Sequence, residues 1–296
     1  GQINPLRSDG GGTVSGRFSY SSPNLQQVPA RDPEFGKMVR DLFVPDGHEY
    51  WGAFDYSQQE PRITVHYSYL TKQLGAEDAV KAYQGQDADF HQIVADMAGI
   101  DRKKAKTINL GLSYGMGRQK LTQALGLAED EASVLFSQYH KKVPFIRGLS
   151  NACMRRASNK GFITTLLGRK CRFNMYESTT TNSIPLPYDK AVEKWGKEGL
   201  VRAYTYKALN RLIQGSAADM TKKAMLDLWK EGYVPYVQVH DELDVGVSTK
   251  KEIEHIKEIM ENCVILKVPN VVDAEIGKTW GQATKDYREV LSERNQ

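Results

Sequence analysis

The sequence predicts an α+β protein in which a mostly helical block interrupts a sheet domain. Three observations carry this. YWGAFD, residues 50–55, is a short apolar and aromatic run with strand character. From Ala76 to about Gly161 the hydrophobic pattern is helical throughout, with Gly or Pro breaks between segments. After that block VPYVQV and LDVGV flank an acidic turn as the arms of a hairpin, and VVDAEI adds another strand.

Composition narrows the function classes. At 296 residues the chain can bury a large core as one domain or two. With 40% hydrophobic and 26% charged residues it is not wholesale disordered. A net charge of +4 and a pI near 8.7 suit an anionic partner without requiring one. No apolar run approaches the roughly 18 residues of a membrane span, and the N-terminus does not resemble a signal peptide. Cys153, Cys171 and Cys263 lie far apart, forming neither a zinc pattern nor a disulfide framework, so a reducing cytoplasmic setting is expected. Any metal must then sit on oxygen ligands.

The elements follow in order. Residues 1–35, rich in Gly, Ser, Asn, Pro and Arg, predict an extended, loop-rich segment. YWGAFD forms a strand ending on Asp55. Ser57 and Glu60 have the S-x-x-E spacing of a capping box, with Pro61 in the first turn of a helix that continues through ITVHYSYL. AEDAVKAY, DADFHQIVADMAGI, RKKAKTINLGLSYG, GRQKLTQALG, EDEASVLFSQYHKK and PFIRGLSNACMRRASNKG make up the helical block. FITTLLGRKCRF predicts a hairpin turning at Gly168, and residues 174–199, mixed in Thr, Asn, Pro and charge, an irregular excursion. YTYKALNRLIQGSAADMTKKAMLDLWK is one long helix with an internal glycine. The VPYVQV/LDVGV hairpin, the helix KKEIEHIKEIMEN and the strand VVDAEI complete the chain, which has no internal repeat.

A lone Asp at a strand end is ordinarily a turn residue or helix cap, and that reading serves for Asp55 or Asp241 taken singly. Alternation in VPYVQVHDELDVGV, however, puts Val237, Val239 and Asp241 on one face, so that Asp241 follows two core valines. Two carboxylates gathered by a sheet repel each other unless a cation neutralises them. Without cysteine or clustered histidine, oxygen ligation points to Mg2+, and two such ions about 4 Å apart serve in-line displacement at phosphorus. In RKKAKTINLGLSYG, Arg102, Lys106, Leu110 and Tyr114 lie four apart and form one slowly slanting helical stripe. On its own that stretch is equally a solvated basic helix end beside a buried tail.

Jointly these pieces resemble family A (polymerase I-type) DNA polymerases. FDYSQQEPR resembles motif A, RKKAKTINLGLSYG motif B and VQVHDE motif C. SGRFSYSSPNLQQVP is similar to the segment preceding motif A, and NRLIQGSAAD to the helix preceding motif C. The resemblance runs from about Gly12 to Trp280 with all five motifs in family order. It implies a palm formed by residues 1–75 and 204–296 and helical fingers formed by 76–203. It also implies template-directed transfer of a deoxynucleotide from dNTP to a primer 3′-OH, with two Mg2+ ions as cofactors and primer-template DNA as partner.

Carried over residue by residue, the resemblance makes Asp55 and Asp241 the metal ligands, joined by the backbone carbonyl of Tyr56. Arg102, Lys106 and His91 hold the incoming triphosphate, and Lys106 is the acid for the leaving pyrophosphate. Glu60 is the steric gate against a ribose 2′-OH, and Gln58 lies beside it at the nucleotide. Tyr114 stacks at the templating position, while Arg17, Asn210, Gln214 and His240 line the minor groove at the primer end, ordinary polar packing being the alternative for Asn210 and His240. No metal role is assigned to Glu242.

The chain also departs from the family. Leu110 stands where Phe or Tyr is usual, which predicts strong discrimination against dideoxynucleotides. Gln59 and Pro61 replace the common Ile and Leu around Glu60. The family's thumb and exonuclease-like domain have no counterpart here, which predicts a cut or split polymerase with a separate thumb-bearing polypeptide and weak, distributive synthesis by this chain alone. The QQEP variant of motif A and the SDGGGT leader resemble phage members. Rival readings are a phage-type RNA polymerase fragment, a non-catalytic nucleic-acid-binding subunit and a two-metal nuclease. The motif A context, the presence of both aspartates and the triphosphate stripe argue against them in turn.

Overall fold

The computed structural model describes residues 1–5, 12–29, 32, 35–84, 88–113, 118–181 and 184–293. Two compact units emerge, one of Gly1–Gln59 with Ala217–Gln296 and one of Glu60–Ser216. The fold is α+β, with antiparallel sheets and helices in the same chain.

The first unit opens with β1 (Gln2–Asn4) paired to β2 (Ser19–Ser21), then α1 (Phe35–Arg40) and the aromatic strand β3 (Tyr50–Tyr56). The chain next forms α2 (Gln59–Leu70). Gln58 stands at φ 55, so the residue after Ser57 is not helical and the helix begins later than the capping-box spacing predicts.

The second unit continues with α3 (Ala76–Ala82), α4 (Phe90–Ala98), α5 (Arg102–Ser113), α6 (Arg118–Leu125), α7 (Glu129–Lys142) and α8 (Pro144–Lys160). Local chemistry sets these boundaries. The Asp89 carboxylate caps α4 by accepting from the amides of His91 and Gln92 at 2.8 and 3.1 Å, and Gly99 ends it at φ 69. Acidic residues open α7 and basic residues close it, as the helix dipole favours. β4 (Phe162–Thr164) and β5 (Lys170–Arg172) form the expected hairpin, with Gly168 at φ 84.

The described part of the predicted irregular excursion instead forms regular elements. β6 (Met175–Ser178) is the centre of a three-stranded antiparallel sheet, flanked by β7 (Leu186–Pro187) and a later strand, and α9 (Tyr188–Trp195) packs beside it. The outer strand is β8 (Leu200–Arg202), pairing Ser178 with Leu200. Strands of two to four residues are too short to show alternation, and their partners are distant in sequence.

The long helix α10 (Ala208–Lys230) follows. The first unit is then completed by β9 (Val237–Val239), β10 (Glu242–Val247), α11 (Lys250–Asn262), β11 (Val272–Gly277), β12 (Lys285–Asp286) and α12 (Tyr287–Glu293). Its antiparallel sheet runs β12-β11-β3-β10-β9. One face is the core: Phe54, Tyr56, Leu243, Val245, Val247, Val272, Ala274 and Ile276 are buried, and Ile253, Ile256 and Met260 of α11 are buried with them. Among the described residues no helix is long and apolar enough to cross a membrane.

Candidate active site

The other face of that sheet gathers the acidic residues. Alternate residues of a strand share a face, so Trp51, Ala53 and Asp55 point the same way. The register adds Glu242 and Asp244 from β10, with Asp55 opposite Glu242, and Asp273 and Glu275 from β11, with Asp55 opposite Asp273. At one end this face is a hydrophobic cluster of Trp51, Ala53, Val237, Trp280 and Ala283, with the Trp51 and Trp280 rings stacked at 5.7 Å. At the other end it is acidic. Burial, then Asp241, Glu242, Asp273 and Glu275, pushes the Asp55 carboxyl up to about 8. Burial also raises Asp241, where Arg17 and His240 offset part of the rise, and Glu242, where Arg40 does so.

Asp241 reaches this end by a different route from the one alternation predicts. β9 stops at Val239, which pairs with Glu242, leaving His240 and Asp241 as a two-residue turn. His240 stands at φ 56, in the left-handed region, and this breaks the alternation before Asp241. The strand pattern therefore ends before Asp241, which still lies close enough to Asp55 to raise it, and Glu242 takes the strand position opposite Asp55. Gln238 braces the turn: its amide nitrogen donates to the His240 carbonyl, and Gln26 donates to its side-chain oxygen at 3.3 Å. Arg17, Phe18, Thr221, Lys222, Gln238 and His240 line one hollow beside the turn, bringing together Arg17 and His240 of the predicted groove set.

Mg2+ commonly takes one or two protein carboxylates and completes its shell with substrate phosphates and water. Asp55 and Asp241 fit that donor set, since a cation would offset the burial that raises both and the carboxylate repulsion that further raises Asp55. Among the described residues no group of three or more His, Cys, Asp or Glu side chains could hold an ion. Tyr56 can contribute only its main chain, because its side chain is buried on the core face and its hydroxyl donates to the Met260 carbonyl at 2.7 Å.

In the helical unit, α5 presents Arg102, Lys106 and Leu110 outward and buries Ala105, Ile108 and Asn109. The predicted stripe is thus a real exposed face, except that Tyr114 lies outside the described residues. Arg102 is held at the head of the helix by Asp89, its Nε and an Nη donating to one carboxylate oxygen at 2.8 and 2.6 Å. Burial works against the Asp89 charge, but Arg102 and the amides of Gln92 and His91 keep its pKa below the ordinary value. Lys106 makes no ion pair among the described residues. His91, on α4, accepts or donates at Nδ1 with the Asn109 amide at 3.2 Å, and the Tyr139 hydroxyl donates to the Asn109 oxygen.

The remaining predicted residues sit as follows. Gln58 is the left-handed residue before α2, and Glu60 lies in that helix's first turn. Gln59, the departure from the usual Ile, is 3% exposed and donates to Thr221 Oγ1 at 3.2 Å, so a polar side chain is accommodated by a polar partner. Asn210 and Gln214 lie one turn apart on α10, both half-buried.

Sequence reasoning missed four residues. Asp244 is 0% exposed, and Trp51 Nε1 donates to its Oδ1 at 2.6 Å. Its Oδ2 has no hydrogen-bond partner among the described residues, and burial, then Glu242, raises its pKa well above the ordinary value. Its signal was present in LDVGV, where the Asp has opposite parity to Leu243, Val245 and Val247. Asn109 and Tyr139 look like ordinary helix positions and carry no such signal, because their partners come from other helices. Asp89 is legible as a helix cap, but its pairing with Arg102 is not.

Comparison with known proteins gives the family. The model for DNA polymerase family A matches residues 9–282. The DNA-directed DNA polymerase of Pseudomonas phage M6 is 40% identical over 332 aligned residues, covering 96% of this chain and 47% of that protein. DNA polymerase I of Pseudomonas aeruginosa is 35% identical, with 91% and 29% covered. Among solved structures, the POL domain of Pol1 from M. smegmatis, in complex with DNA primer-template and dNTP, is similar at a TM-score of 0.72 and 30% identity, covering 92% of this chain and 47% of that one. The chain spans about half the length, or less, of these relatives. A match running through all five motifs and nearly the whole sequence leaves one assignment: the chain belongs to DNA polymerase family A.

Proposed function

We propose that this chain carries out template-directed DNA synthesis, with the sheet unit acting as palm and the helical unit as fingers. The observation that carries the reading is the carboxylate end of the sheet. Asp55, raised to about 8 by burial and by Asp241 and its neighbours, is a group whose charged form calls for a cation. In the proposed reaction the primer 3′-hydroxyl gives its proton to solvent water as its oxygen forms a bond to the α-phosphorus of dNTP, the α–β phosphoanhydride breaks, and pyrophosphate leaves. Mg2+ ions held by Asp55, Asp241 and the Tyr56 carbonyl would supply charge neutralisation at the transferred phosphoryl group.

The chain's own residues do the rest. Arg102, Lys106 and His91 bind the triphosphate, and Lys106 Nζ gives a proton to the leaving pyrophosphate oxygen. Glu60, with Gln58 beside it, excludes a 2′-OH. Leu110, 41% exposed, presents no hydroxyl to the nucleotide and so disfavours dideoxy substrates. Tyr114 stacks at the template, and Arg17, Asn210, Gln214 and His240 contact the primer-end minor groove. A thumb-bearing polypeptide that grips duplex phosphates, and a cytoplasmic setting, belong to the same proposal. Primer extension with Mg2+ and dNTPs tests it, with rNTPs and dideoxynucleotides as competitors. Extension that survives chelation of Mg2+, or that favours rNTPs, would rule the reading out.

A further inference from the structure

The helical unit holds His91, Asn109 and Tyr139 in a line drawn from α4, α5 and α7, half-buried at His91 and buried at the other two. Tyr139 is 0% exposed and Asn109 is 2% exposed. The Tyr139 hydroxyl donates to Asn109 Oδ1, and Asn109 Nδ2 lies 3.2 Å from His91 Nδ1.

The direction of this line follows from burial. A buried phenol O–H needs an acceptor, and among the described residues Asn109 Oδ1 is its hydrogen-bond partner. Turning the amide round would set its NH2 against the phenol oxygen and leave the O–H with no acceptor. The oxygen of Asn109 therefore faces Tyr139 and the NH2 faces His91. His91 Nδ1 must then accept, which requires it to be unprotonated and puts the ring proton on Nε2. Protonating Nδ1 would bring two donors together, and relieving that clash would orphan the phenol.

We propose that Asn109 and Tyr139 are positioning residues that hold His91 neutral as its Nε2–H tautomer, so that it meets the incoming triphosphate as a hydrogen-bond donor and not as a cation. The target rests on the polymerase reading; the tautomer does not. The charged and titratable groups around the ring are Asp89 on the approach to α4, Arg102 and Lys106 on α5, and Tyr139 on α7. Burial foremost, then Arg102 and Lys106, depresses the His91 pKa against the opposing pull of Asp89, and burial keeps Tyr139 protonated. With two cations already at the phosphate-binding face, a neutral donor adds direction without a third charge.

The experiment is 15N NMR of the six histidines of the intact chain, with His91 assigned by its substitution, over pH 5–8. The parent protein should show His91 as the Nε2–H tautomer at pH 7, titrating below 6.5. Tyr139→Phe, which removes the hydroxyl and frees Asn109 to turn, should raise that pKa by roughly half a unit or more. It should also make the dNTP KM fall between pH 8 and 6, with a smaller effect on kcat. His91→Ala should raise the dNTP KM by roughly two- to tenfold, the loss of one hydrogen bond. An Nδ1–H tautomer or an imidazolium at pH 7 in the parent protein overturns the proposal even if Tyr139→Phe fails to fold. So does a Tyr139→Phe protein whose His91 titration is unchanged, or an unchanged KM in His91→Ala. Absence of nucleotide incorporation by the parent protein would instead count against the polymerase reading, with the tautomer still read from the spectra.

Discussion

The two units concentrate charge of opposite sign by opposite means. In the sheet unit, strand register stacks Asp55, Glu242, Asp244, Asp273 and Glu275 on one face, where burial and then the neighbouring carboxylates raise Asp55. In the helical unit, the period of α5 sets Arg102 and Lys106 on an exposed face, one paired to Asp89 and one unpaired among the described residues. Like charges in a sheet are forced together by backbone hydrogen bonds, and their cost is released only by a cation or a proton. Like charges on a helix stand apart in water and cost little until a ligand arrives. The first arrangement suits a permanently needed metal, the second a substrate that comes and goes.

Substitutions can break this comparison at each end. Asp241→Ala should have the largest effect, lowering primer extension by about 10³-fold, because it removes a ligand from the only described pair proposed to hold Mg2+. Full activity of that variant would refute the metal assignment. Lys106→Ala should follow, lowering incorporation by about 10²-fold through loss of the proposed proton donor, with the deficit larger in kcat than in KM. Leu110→Tyr should leave chemistry intact and shift the dideoxy-to-deoxy incorporation ratio upward by about tenfold, the scale of one added hydrogen bond. Equal ratios in parent and variant would dispose of that idea.

The smallest effects are expected at the helix caps, one in each unit. Thr249 accepts from the Glu252 amide at 3.2 Å while Glu252 accepts from the amides of Ser248 and Thr249 at 2.8 Å, so Thr249→Ala should cost about 1 kcal/mol in denaturant melts. Asp89→Asn tests the other cap by pH. The Asp89 pKa is depressed in the folded state, so its contribution is present above the ordinary value of 3.8 and is lost as pH falls through the folded value. A stability gap between parent and Asp89→Asn at neutral pH should therefore close in acid. A gap that persists there would mean Asp89 works through geometry alone.

Helices and long strands were legible because their signals are local. The exposed stripe of α5 and the hairpin at Gly168 follow from spacing and residue type within a few positions. The strands of residues 175–202 escaped because each is shorter than one clear alternation. Asp241 lies near Asp55, as its motif led one to expect, but it gets there through a turn at the left-handed His240 and not as a further strand position. Glu242 was left without a role although it is the residue that faces Asp55.

Periodicity and motif order were thus enough for the α+β class and the family, because each rests on neighbours in the chain. Which carboxylates share a face, and which way the Asn109 amide turns, rests on contacts between segments far apart in sequence. Asp55 meets Glu242 through sheet register, and His91 meets Tyr139 through the packing of three helices. Such pairings depend on the energy of the assembled core, and no local pattern encodes them.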